Sequence, residues 1–130
     1  MSKHETPLTR RYWREVKGTL IEEFIAVKSK KLHGKRIHGK RLIDGIIICG
    51  GKHKIATKSD VELEKNDIIV VQTKAKPLGM NLLGQALFSK HLMERFKPKS
   101  IHCVAICTKG DIILEELASR YDIEVVVYEN

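Results

Sequence analysis

Three residues in two apolar stretches could do chemistry together: Asp44 in "RLIDGIIICGG" (41–51), with Gln72 and Lys74 in "DIIVVQTKAK" (67–76). An ionised carboxylate inside an apolar strand is costly unless it is paired, hydrogen-bonded or bound to a metal. Side chains alternate along a strand, so Ile68, Val70, Gln72 and Lys74 share one face. If the two stretches pair side by side, Asp44, Gln72 and Lys74 meet at one sheet edge. A hard divalent cation takes oxygen ligands, and a carboxylate, an amide oxygen and a backbone carbonyl would serve. Such an ion lowers the pKa of bound water and polarises a phosphate, while a nearby ammonium stabilises developing charge.

Placing those residues needs a particular run of elements. Pro7 opens a helix through Trp13 and Val16, with Thr6 as its cap and Gly18 at its end. In "TLIEEFIAV" (19–27) the four-residue step from Leu20 to Phe24 suits a helix, but the β-branched and aromatic content after a glycine favours a strand. Residues 41–51 read as a strand ending in a Gly-Gly turn, and 52–67 as one or two short strands or a turn. Residues 67–75 follow as a strand apolar on both faces, which implies a central, covered position. A helix over 81–96 is capped by Asn81, places Phe88, Leu92 and Phe96 on one side, and ends before Pro98. A buried strand (101–108), a helix (110–122) capped by Asp111 and a last strand (124–129) complete the chain. The order α-β-β-β-α-β-α-β describes an α/β fold, a mixed β-sheet flanked by helices, in one domain spanning 1–130.

Composition narrows the partners. The 130 residues carry a formal net charge of +8, which favours polyanions, mainly DNA or RNA, through counterion release. The charge is concentrated: "KSKKLHGKRIHGKR" (28–41) has seven Lys or Arg among fourteen residues. Directly before the Asp44 strand, this segment reads as a loop, either solvated or contacting phosphates through Lys28, Lys30, Lys31, Lys35, Arg36, Lys40 and Arg41. No run of about 18 apolar residues offers a membrane span. The N-terminus is too polar for a signal peptide, and Cys49, Cys103 and Cys107 all lie in apolar stretches. An odd number of buried thiols implies a reducing cytoplasm and no disulfide framework.

The acid in "IDG" (43–45), a hairpin, "VVQTK" (70–74) and a following helix resemble the PD-(D/E)XK nuclease superfamily, the restriction-endonuclease-like fold, over roughly residues 8–128. The usual acid two residues before the lysine is Gln72 here, a departure similar to the QxK motif of the Mrr-like branch. Ile43 stands where proline is common. The resemblance implies a metal-dependent nuclease hydrolysing DNA, with Mg²⁺ or Mn²⁺ as cofactor. Asp44 would be the principal ligand, Gln72 a weaker one, and Thr73 would offer its carbonyl. Lys74 would orient the water or stabilise the transition state. Relatives also carry an acid on the first helix, for which Glu15 is the best match and Glu22 and Glu23 compete. Gln85 corresponds to a glutamine that RecB-type relatives place near the site. Similar minimal nucleases act as homodimers.

The remaining residues take plainer readings. Tyr12 and Trp13 are core or dimer-contact aromatics, and the scattered histidines are surface residues. "KPLG" (76–79) is a turn whose Lys76 would reach a phosphate. "GGKHK" (50–54) lacks the Gly-Lys-Ser/Thr ending of a phosphate-cradling loop. Because glutamine removes a negative charge from the metal site, a non-catalytic nucleic-acid-binding module retaining the nuclease fold is the alternative. A structural or regulatory α/β domain is a further rival.

Overall fold

Apolar strands and the turns between them set the architecture of residues 3–129, which the structure, a computed structural model, describes. Helix α1 (Thr6–Val16) leads into β1 (Thr19–Val27), then β2 (Lys30–Leu32), β3 (Lys35–His38) and β4 (Arg41–Ile48). A short β5 (Lys54–Ile55) precedes β6 (Asp67–Thr73). Helix α2 (Met80–Met93), β7 (Ser100–Cys107), α3 (Ile112–Arg120) and β8 (Ile123–Val127) follow. The main sheet has the order β5-β1-β4-β6-β7-β8. Strands β1, β4 and β6 pair antiparallel, whereas β6, β7 and β8 pair parallel through α2 and α3 as crossovers. The expected α-β-β-β-α-β-α-β order and mixed sheet are present, with β2, β3 and β5 added.

The unbroken apolar run of β6 has the predicted cause. Ile68 and Val70 pack with Phe24, Ile46 and Met93, while Ile69 and Val71 join Tyr12, Trp13, Leu20 and Val104. Helix α1 therefore covers one face of the central sheet. Helices α2 and α3 contribute Leu82, Ala86 and Ala118 to a further cluster with Cys103 and Ala105. Tyr12 and Trp13 are core residues, as expected. Gly18 is required at the end of α1. Its φ is +86°, its carbonyl accepts from Trp13 Nε1 at 2.7 Å, and an added Cβ would strike the Ile48 carbonyl.

Several expectations are corrected. The basic segment is a hairpin, β2–β3, forming its own two-stranded sheet; it leaves the main sheet where Val27 pairs with Arg41. Its turn is His33-Gly34, both at positive φ, which a twisted two-residue connection needs. Thr6 is the first helical residue of α1 and Glu5 the cap position; α2 begins at Met80 after Gly79, so Asn81 is not its cap. Helix α2 ends at Met93 in a 3₁₀ turn, Glu94–Phe96. Leu92 and Phe96 pack on the core, but Phe88 is 72% exposed. Cys49 is exposed at the end of β4, whereas burial pushes the Cys103 thiol up to about 11. Asp111 does cap α3, accepting from the Leu114 amide at 3.0 Å. Among the described residues no helix is long and apolar enough to cross a membrane.

Candidate active site

Strands β4 and β6 run together until Gly45 faces Val71, and the residues just beyond that pair are Asp44 and Gln72. There the Thr73 amide donates to Asp44 Oδ2 at 2.8 Å. In a strand the N–H and C=O of one residue leave by the same edge, so the Thr73 carbonyl also faces the Asp44 side. The Lys74 amide turns the other way and donates to the Ile106 carbonyl at 2.9 Å. Gln72 is 5% exposed, and its Nε2 donates to Ser89 Oγ on α2 at 2.7 Å. Among the described residues no buried side-chain polar atom lacks a partner, and Gln72 is one of the residues lining a groove at this edge.

That groove has a volume of about 540 Å³. Asp44, Gln72 and Lys74 line it together with Lys40 and Arg41 from the start of β4, and Gln85 from α2. The face alternation thus brings the expected trio into one place. Phe88 and Met80 add apolar surface at the mouth, 72% and 76% exposed. Burial raises the pKa of Asp44, and the nearby Glu5 carboxylate adds to the rise. The Thr73 amide and the Lys74 ammonium oppose it. The Glu5 carboxylate and the Lys74 ammonium thus act on Asp44 in opposite directions.

Glu5 is the acid that sequence reasoning missed. Glu5 and Lys74 line a hollow with Lys76 and Asn81, beside the groove. The expected Glu15 is elsewhere: it accepts from Tyr128 Oη at 2.9 Å and lies 3.7 Å from Arg11. The reason is the direction of α1. Its first turns meet the end of β6, where Thr9 and Thr73 share a hydrogen bond, and Glu15 lies ten residues beyond Glu5, about 15 Å along the helix axis. Glu22 pairs with Arg10 at 2.8 Å and 2.9 Å, and with Glu23 it lines a separate hollow beside Lys58. The available signal was an acid immediately before the helix-opening Thr6-Pro7.

The basic residues divide into three groups. Lys40 and Arg41 line the groove. Lys30, Lys31, Lys35 and Arg36 stand on the exposed β2–β3 hairpin. Lys28 lies towards Lys58, whose pKa is lowered by burial and then by the Lys28 charge. Lys76 faces the hollow next to Glu5.

The donor set suits a hard cation: the Asp44 carboxylate, the Gln72 amide oxygen and the Thr73 carbonyl are all oxygens. Among the described residues no group of three or more His, Cys, Asp or Glu gathers to hold a metal ion. The set thus depends on neutral oxygens as well as acids. Comparison with protein-family models, curated proteins and solved structures finds no match.

Proposed function

We propose that this chain is a metal-dependent nuclease that hydrolyses DNA phosphodiester bonds in the Asp44–Gln72–Lys74 groove. One observation carries the reading: Asp44, Gln72 and Lys74, distant in sequence, line one open groove with Lys40 and Arg41. The element order and the "IDG" and "VVQTK" segments support the PD-(D/E)XK resemblance in the same sense. Mg²⁺ or Mn²⁺ would be held by Asp44, Gln72 and the Thr73 carbonyl, with Glu5 adding negative charge. The ion would supply Lewis acidity towards phosphate and water.

The chain's own residues supply the rest. Lys40 and Arg41 attract the DNA backbone, and Gln85 offers an amide on the opposite wall. Lys74 presents a positive charge where the phosphate becomes more negative as water adds to phosphorus. One P–O ester bond then breaks, and the water's proton is released as the departing oxygen is protonated. The Thr73 amide holds the Asp44 carboxylate in place throughout.

The second reading, a nucleic-acid-binding module without cleavage, is favoured by the small number of acids at the site. Supercoiled, linear, branched and single-stranded DNA incubated with Mg²⁺ or Mn²⁺ separates the two. Cleavage by the wild type, lost on Lys74→Ala, supports the nuclease. Salt-dependent binding with no cleavage on any substrate supports the module.

A further inference from the structure

The β2–β3 hairpin is difficult to explain by its own stability. Residues 30–37 are all exposed, and the two strands form a sheet apart from the main one. A lone two-stranded hairpin is marginal in water. This one also sets Lys31 directly opposite Arg36, a like-charge pair that opposes folding. Leu32 and Ile37 are each 54% exposed on the same ribbon. A polyanion would relieve the repulsion, and a groove wall would cover the two apolar side chains. At the base of the ribbon, Lys40 and Arg41 continue the positive surface into the groove containing Asp44 and Lys74.

We propose that the β2–β3 ribbon enters the major groove of B-form duplex DNA and makes the protein selective for that form of nucleic acid. The B-DNA major groove, about 12 Å wide, admits a two-stranded ribbon, and a thymine methyl accepts apolar contact. The deep, narrow major groove of A-form RNA does not admit it, and a single strand has no groove. Lys31 and Arg36 neutralise phosphates at the groove rim, while Leu32 and Ile37 meet the floor. An anionic lipid surface would also attract the charges, but it would not extend from the ribbon into the groove lined by Lys40 and Arg41. The placement of a scissile phosphate at Lys74 rests on the nuclease reading; the ribbon's preference for a B-form duplex does not.

Fluorescence anisotropy in EDTA tests this without cleavage. The probes are labelled DNA duplex of about two helical turns, one of its single strands, and an RNA duplex of the same length. The wild type should bind the DNA duplex at least about tenfold more tightly than either other probe, about 1.4 kcal/mol. Lys31→Ala with Arg36→Ala should remove most of that preference. It should also reduce the slope of log affinity against log salt by about 1.8, from about 0.9 per lost contact. Leu32→Ser with Ile37→Ser should reduce the preference with no change in slope. Circular dichroism checks that each variant is folded. Equal wild-type binding to all three probes overturns the proposal, as does unchanged duplex selectivity in both folded variants. Binding to phosphatidylserine vesicles with none to DNA overturns it too. A wild type that selects duplex DNA but never cuts with Mg²⁺ or Mn²⁺ removes the nuclease reading and leaves this one standing.

Discussion

Thr9 and Thr73 join their buried hydroxyls in a 2.7 Å hydrogen bond, tying the first turns of α1 to the end of β6. Through the next amide contact, Thr73 N–H to Asp44 Oδ2, that link reaches the candidate active site. The helix, the strand end and the carboxylate are thus one hydrogen-bonded series.

The two threonines should not be equivalent. Thr9 Oγ1 also has the Glu5 carbonyl at 3.3 Å as an acceptor, so Thr73→Val should cost only about 1 kcal/mol. Thr9→Val leaves the Thr73 hydroxyl buried without that partner and should cost about 1–3 kcal/mol. The double valine variant should recover part of the loss. Urea unfolding of all four proteins measures the coupling, and strictly additive losses would contradict the link.

Asp44 gives a pH-dependent signature. Its pKa is raised by burial and by Glu5, so the folded protein holds that proton more tightly than the unfolded chain. The resulting stabilisation is complete below the ordinary aspartate range, near about pH 4, and is lost as pH rises through the raised value. Asp44→Asn should remove this loss and melt higher than the wild type at neutral pH without metal. Added Mn²⁺ should raise the wild-type melting temperature by mass action and leave Asp44→Asn nearly unchanged. An equal Mn²⁺ response in both proteins sinks Asp44 as a ligand.

Gln72→Glu should act oppositely on binding and stability. The Ser89 hydroxyl, now an acceptor from Nε2, would turn to donate to the new carboxylate. Calorimetry should show Mn²⁺ affinity rising by about tenfold, or about 1.4 kcal/mol. The metal-free protein should lose about 1–3 kcal/mol, because the position is buried. Weaker metal binding in a folded variant would place the ion elsewhere.

Lys74→Ala should preserve folding and metal binding while cleavage falls by ~10²-fold or more. Lys74→Arg should restore little, since a planar guanidinium does not occupy the place of a compact ammonium. Single-turnover cleavage rates at saturating Mg²⁺ make the comparison. A folded Lys74→Ala protein cutting at the wild-type rate would end this role for the lysine.

Much of the scaffold was legible because its signals are local. Apolar runs marked β4, β6 and β7, and alternation placed Ile68, Val70 and Gln72 on one face. Asp44, Gln72 and Lys74 came together as the pairing of two adjacent strands required. What local pattern did not reveal was the direction in which α1 crosses the sheet. Tertiary packing decides that direction, through Thr9 against Thr73 and through Tyr12 and Trp13 clustered with Ile69 and Val71, so Glu5 and not Glu15 lies near Asp44. In the hairpin, seven Lys or Arg among the fourteen residues 28–41 hide the strand alternation, so the segment reads as a loop in the sequence. The exposure of Phe88 was equally hidden, since a helical spacing shared with Leu92 says nothing about how far the sheet extends beneath it.

Val27 and Arg41 are neighbours across the β1–β4 ladder, so the chain leaves and re-enters the sheet at almost the same point. Residues 28–39 thus form a detachable cassette whose ends nearly meet. A tight turn could replace it without altering the register that sets Asp44 beside Thr73. Evolution or design could exchange the part that meets the outside world while the buried chemistry stays in its original frame. The same geometry makes the cassette portable, because any antiparallel pair with closely spaced ends offers an equivalent socket.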